Sequence, residues 1–256
     1  MKRVRIDHSL SGIGFTALAT LTASLFFTGC KTMRSQVEAP TPATTIATPA
    51  PPPQQTTTTQ SPSPSAQDPA PTDTRQLIIC FGDSLTAGYG TDFGQSYPDD
   101  LQQLLDAHGY HYHVLNAGIS GNTTKDGLDR IHLVLNRHPQ IVVVEFGGND
   151  GLRGLPIEQT QANLSTIIAQ LQQSGAKVVL AGITLPPDYG PDYIKKFDAM
   201  YPALAKQYHI RYLPFLLKNV YGIPGDMQND NTHATAKGNK QVAQNVEALL
   251  HPLLKK

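Results

Sequence analysis

From Leu77 to the C-terminus the sequence alternates between short, unbroken apolar runs and longer stretches with helical spacing, which restricts the fold more than any other feature. The runs cover residues 77–81, 113–115, 141–144, 177–181 and 211–213. Continuous apolar strands belong to a sheet covered on both faces, the setting of parallel strands. Between them Leu101, Leu104 and Leu105, and again Leu164, Ile167, Ile168 and Leu171, recur at the spacing of one helix face. Repeated strand-helix order, short connections and the right-handed crossover rule predict an α/β domain with an open, doubly wound, five-stranded, mostly parallel sheet. About 180 residues suffice for one buried core, and ligands are expected at the carboxyl ends of the strands.

The chain before this domain is built differently. Lys2, Arg3 and Arg5 precede an uncharged stretch rich in Leu, Ala, Thr and Phe, the pattern of an export signal over residues 1–29. It ends Leu25-Phe26-Phe27-Thr28-Gly29-Cys30, which resembles the bacterial lipobox, with Phe27 where a smaller aliphatic is usual. The resemblance implies cleavage before Cys30, lipidation of that cysteine and a place in the bacterial cell envelope, anchored on the periplasmic side. Lys31 after the cysteine points by the same resemblance to the outer membrane. An uncleaved anchor and ordinary secretion are the alternatives. Residues 30–76 carry half of the 20 prolines, with Thr, Ser, Gln and Ala. A segment this poor in apolar side chains cannot offset its ordering entropy, and a disordered tether is expected. Its reach lies between roughly 40 Å as a flexible coil and roughly 140 Å fully extended.

Charge and cysteines exclude several classes. Twenty Lys and Arg balance twenty Asp and Glu, so no electrostatic footprint for nucleic acid is present. Cys30 and Cys80 are too few for a disulfide scaffold and lack the spacing of a zinc site. Cys80 falls inside the first strand, where a buried, inert thiol is expected. No metal and no cofactor is expected.

The chemistry concentrates in four segments at strand ends or before the last helix. Gly82-Asp83-Ser84 follows the first strand, Asn116-Ala117-Gly118-Ile119-Ser120-Gly121 the second, and Gly147-Gly148-Asn149-Asp150 the third, while Asp230-Asn231-Thr232-His233 precedes the final helical stretch. The glycine-rich segments lack both the full GxGxxG pattern and a Walker lysine, so nucleotide binding is disfavoured. A serine hydroxyl needs a base to take its proton, and an acyl transition state needs donors for its oxyanion. His233 fits the base, Asp230 three residues upstream fits the group that orients it, and the N–H groups of Ser84 and Gly121 with the Asn149 amide fit the oxyanion.

The ordered set Gly-Asp-Ser, Gly, Gly-x-Asn-Asp and Asp-x-x-His resembles the SGNH, or GDSL, hydrolase superfamily, with Ser84, Gly121, Asn149 and His233 in the naming positions. The resemblance extends over 77–256. The segments 147–154, 185–190 and 227–230 are similar to the thioesterase I, lysophospholipase L1 and arylesterase branch. It implies a flavodoxin-like, three-layer α/β/α fold, a shallow groove, and hydrolysis of acyl esters and thioesters through an acyl-enzyme without a metal. Ala234 departs from that branch, where proline often follows the histidine, and a looser turn under the base is expected.

Substrate is less legible. Leu85, Leu152, Leu155 and Ile157 flank the site and suit one side of an acyl groove, although each also suits a core. Asp150 and Arg153 stand beside Asn149, with Arg153 suited to an anionic head group or to a solvated ion pair. A lysophospholipid or other small acyl ester is the expected substrate, with a monomeric enzyme held at the membrane by its lipid. An acetylesterase acting on cell-wall glycans, and a non-catalytic binding lipoprotein, are the rivals.

Overall fold

The computed structural model describes residues 73–256, and the readings on the signal segment, Cys30 and the tether up to residue 72 lie outside it. Five strands form one sheet: β1 Gln76–Gly82, β2 Tyr112–Asn116, β3 Ile141–Glu145, β4 Lys177–Ala181 and β5 Arg211–Leu213. Their spatial order is β2-β1-β3-β4-β5. Every pairing is parallel, so the sheet is fully rather than mostly parallel. Each connection carries a helix, which leaves no short hairpin to reverse a strand.

The helices are α1 Ser84–Ala87, α2 Tyr97–Ala107, α3 Thr124–Leu135, α4 Gly148–Leu152, α5 Ile157–Gln173, α6 Pro191–Tyr208 and α7 Ala236–Leu250. The chain steps from β1 to β2 in one direction and from β2 through β5 in the other. Right-handed crossovers therefore place α2 on one face and α3, α5 and α6 on the opposite face. The contacts agree, with α2 packed on α7, α3 on α5 and α5 on α6. This is the flavodoxin-like three-layer arrangement, and its switch point lies between β1 and β3.

Local sequence sets the helix ends. Ser96 with Asp99, and Thr123 with Asp126, form reciprocal capping boxes that satisfy the first free N–H groups of α2 and α3. Pro191 opens α6 at a position where a missing N–H costs nothing. Helix α5 buries Leu164, Ile167, Ile168 and Leu171, all fully enclosed, against the sheet. Each such side chain contributes about 1.5–3 kcal/mol by leaving water. Strand β3 is buried along its whole length, from Ile141 to Glu145, as its central position requires.

Candidate active site

Strand β1 ends at Gly82, and the chain turns at once into the single-turn helix α1. Asp83 caps that helix, its Oδ1 accepting from Leu85 N at 3.1 Å, and Ser84 becomes its first residue. The sequence placed this segment just after a strand; the cap makes it a helical turn. The Ser84 N–H is one of the unpaired donors of a helix start and has no acceptor among the described residues.

The base arrives from the other end of the chain. Residues 227 and 234 form an antiparallel bridge, Gln228 N donates to His233 O at 2.8 Å, and Thr235 N donates to Asp226 O at 2.9 Å. Ala234 is buried within this closed turn, and none of these bonds needs a proline after the histidine. Inside the turn Asp230 Oδ1 accepts from Thr232 N at 2.9 Å and His233 N at 3.0 Å. Its Oδ2 lies 2.7 Å from His233 Nδ1, and His233 Nε2 lies 2.8 Å from Ser84 Oγ. Burial works against the Asp230 charge, yet the side-chain and backbone hydrogen bonds from His233 prevail and hold the carboxyl down at about 2. An ionised Asp230 demands the proton on Nδ1, which leaves Nε2 free to accept from the serine hydroxyl. The Tyr89 ring lies against the imidazole, with centroids 4.7 Å apart.

The second side of the site is built at the ends of β2 and β3. Gly121 sits at φ +80°, a left-handed conformation that glycine adopts without strain. Its carbonyl accepts from Arg153 Nη2 at 2.8 Å, and its N–H has no acceptor among the described residues. Asn149 belongs to α4 rather than to a loop. Its Nδ2 donates to Asp83 Oδ2 and to the Asn122 carbonyl, both at 3.0 Å. The amide is thereby fixed in orientation, and an arriving oxyanion must share one of these two N–H groups.

Beside Ser84 opens a cavity of about 280 Å³. Leu85 and Leu152 line it as the sequence suggested, together with side chains the sequence did not single out. Ile183, Leu185 and Pro187 follow β4, and Phe215, Leu217 and Tyr221 follow β5. Leu185 and Pro187 fall in the segment 185–190 that carried the family resemblance, whereas the only sequence signal of the other four was position after a strand end, since which loops converge depends on the sheet order.

Three suggested substrate contacts stand outside this cavity. Asp150 is buried and turned away from the cavity; it accepts from Thr124 N at 2.9 Å and from the hydroxyls of Thr124 and Thr160, pinning α3 to α4 and α5. Arg153 donates one Nη2 hydrogen bond to the Gly121 carbonyl and does not line the cavity. Leu155 also lies outside it, with its carbonyl accepting from Tyr193 Oη at 3.2 Å. Ile157 packs partly buried against the core. Among the described residues no group of three or more His, Cys, Asp or Glu side chains is placed to hold a metal ion.

A family model for GDSL-like lipases and acylhydrolases matches residues 80–241, which takes in all four segments. The chain belongs to the GDSL-like lipase/acylhydrolase family. This GDSL hydrolase is 43% identical over 180 residues to Esterase TesA of Pseudomonas aeruginosa, covering 70% of this chain and 90% of that protein. It is 38% identical over 178 residues to Thioesterase 1/protease 1/lysophospholipase L1 of Escherichia coli K12, covering 69% of this chain and 84% of that protein. A crystal structure of TesA superposes with a TM-score of 0.68 at 43% identity, over 70% of this chain and all of that one. The protein is thus a GDSL-type carboxylic ester hydrolase of the esterase, arylesterase and thioesterase kind.

Proposed function

We propose that the protein is a serine esterase that cleaves acyl esters and thioesters through an acyl-enzyme on Ser84. The observation that carries this is the unbroken hydrogen-bonded line from Asp230 through His233 to Ser84, ending at the mouth of an apolar cavity. His233 takes the Ser84 proton as Oγ attacks the acyl carbon, and Asp230 stabilises the imidazolium that forms. The N–H groups of Ser84 and Gly121 and the Asn149 amide receive the oxyanion. His233 then protonates the leaving alcohol or thiol. Water repeats the sequence on the acyl-enzyme and frees Ser84.

The apolar walls formed by Ile183, Leu185, Phe215 and Leu217 favour a fatty acyl chain over an acetyl group on a glycan, which would leave that surface unfilled. Lysophospholipids and medium-chain to long-chain esters are the proposed substrates. The complete serine, histidine and aspartate set favours turnover over binding alone. We place the enzyme as a lipid-anchored monomer on the periplasmic side of the outer membrane, from the lipobox-like segment ending at Cys30.

The deciding experiment compares the native chain with Ser84→Ala on nitrophenyl esters from acetyl to palmitoyl and on a lysophospholipid. Serine-dependent turnover that peaks at medium or long chains is expected. Cleavage of acetyl esters alone would transfer the assignment to a deacetylase, and equal rates for the two proteins would remove Ser84 from the chemistry.

A further inference from the structure

Behind Asn149 lie two buried carboxyl groups that the acyl-transfer chemistry does not use. Glu145 ends β3 with no exposure at all, and Asp83 follows β1 with 2%. The parallel register sets Gly82 opposite Glu145. The missing side chain at Gly82 makes the room, because a Cβ there would collide with Thr86 Oγ1 and Glu145 Oε2. Glu145 Oε2 accepts from Thr86 Oγ1 at 2.8 Å and from Asp83 N at 3.4 Å. Glu145 Oε1 has no donor among the described residues. The Asp83 N–H bond to Glu145 sets the two buried acidic residues against each other.

Two adjacent buried carboxyls do not both ionise, and a neutral acid can donate where a carboxylate only accepts. Burial raises both groups. The charge of Asp83 adds to the rise at Glu145, whereas hydrogen bonds from Leu85 N and the Asn149 amide, and the nearby His233, favour the charged form of Asp83. Tyr97 and Tyr201 also face the pair and bring no positive charge, and the nearby Arg130 guanidinium of α3 is engaged by the Gly82 and Ala117 carbonyls. The single proton therefore belongs on Glu145.

We infer that Glu145 is a positioning residue: as a neutral acid it keeps its proton and donates a hydrogen bond to the Asp83 carboxylate, which so held grips the Asn149 amide and aims it at the oxyanion. The inference rests on the serine-esterase function proposed above. No bond is made or broken, and the proton stays within the pair through the reaction. Asp83 Oδ2 accepts from Asn149 Nδ2 at 3.0 Å, while its Oδ1 is committed to the cap of α1, so both oxygens are held. The nearby His233 favours the charged form of this carboxylate. Glu145 touches neither substrate nor reacting atom; it acts through Asp83.

The test uses the full chain with Glu145→Met, which keeps the bulk and removes the donor, and Glu145→Gln, which restores a neutral donor. Glu145→Met should lower kcat roughly tenfold to a hundredfold with KM nearly unchanged, part of the 10²–10³-fold that Asn149→Ala should cost. Glu145→Gln should recover most of that loss. Infrared spectra at neutral pH should contain a buried carboxylic-acid carbonyl band in the native chain that disappears in Glu145→Gln. Native kcat in Glu145→Met, no rescue by Glu145→Gln, or no acid carbonyl band would each overturn the assignment. The infrared result stands even where Glu145→Met does not fold. Ser84→Ala run alongside separates the two levels, since its retained turnover would sink the esterase function whatever the Glu145 variants do.

Discussion

The Gln228 side chain ties the loop of the base to the loop that follows the nucleophile: its Nε2 donates to the Tyr89 carbonyl at 2.7 Å and to the Ala234 carbonyl at 2.8 Å. Tyr89 in turn lies against the His233 ring. Gln228→Ala removes both bonds and should destabilise the domain by about 1–3 kcal/mol. Because the ring loses a lateral support, kcat should fall roughly tenfold, with KM little changed. Denaturant melts and steady-state kinetics on the same preparation check both numbers; native kcat would show that His233 is held by Asp230 alone.

Asp230→Asn should lower kcat roughly 10²–10⁴-fold at neutral pH, because an amide no longer requires the proton on Nδ1 and the ring can turn its protonated nitrogen to Ser84. The native carboxyl, held at about 2, stays charged throughout the working range. Its own contribution to folding is therefore present above the unfolded value of about 4 and is lost only as pH falls toward 2. Acid loss of activity at mildly acidic pH must come from another group. A pH–rate profile for the two proteins decides this, and coincident profiles would dissolve the pairing.

Ile183 and Leu217 both line the cavity, in the segments after β4 and β5. Ile183→Phe fills part of the cavity and should lower kcat/KM for long acyl esters by roughly tenfold or more while acetyl esters are cleaved nearly as before. The ratio of octanoyl to acetyl turnover is the readout. A ratio that does not move would place the acyl chain elsewhere.

Glu145→Gln should also change stability with a definite sign. A buried acid raised in the folded state binds its proton more tightly than the unfolded chain does, so its favourable contribution is complete below about 4.3 and drains away as pH rises toward the folded value. The variant has no such loss. Its Tm relative to native should therefore rise from pH 4 to pH 8, and a constant difference would mean that Glu145 is ionised in the folded protein.

Burial pushes the Cys80 thiol up to about 12. The reactive thiolate is then scarce at neutral pH and the sulfur is fully enclosed. Alkylation mapped by mass spectrometry should find Cys80 unmodified in the folded chain and modified once denaturant is added. Rapid labelling without denaturant would show that β1 opens.

The parallel sheet was legible because its strands are continuous apolar runs, and the four reactive segments were legible because each follows a strand or precedes a helix. What failed was adjacency. Asp150 stands next to Asn149, but one helical step turns a side chain by about 100° and carries it from the cavity into the core. Arg153 stands four residues from Asn149, yet its guanidinium reaches over to the Gly121 carbonyl and leaves the cavity wall to others. The walls after β4 and β5 were unreadable because their residues are ordinary apolar side chains, made significant only by the strand order. Glu145 directly follows an apolar run, and nothing local announces that a glycine on the neighbouring strand has made space for it.

All five strands point the same way, which divides the body into two poles. The chain joins the domain at the amino pole, before Gln76, and Ser84 stands at the carboxyl pole, about 23 Å further along β1. The chain's entry and its nucleophile are thereby kept at opposite ends of the sheet, and a tag or surface coupled to the described residues ahead of Gln76 should leave Ser84 unobstructed.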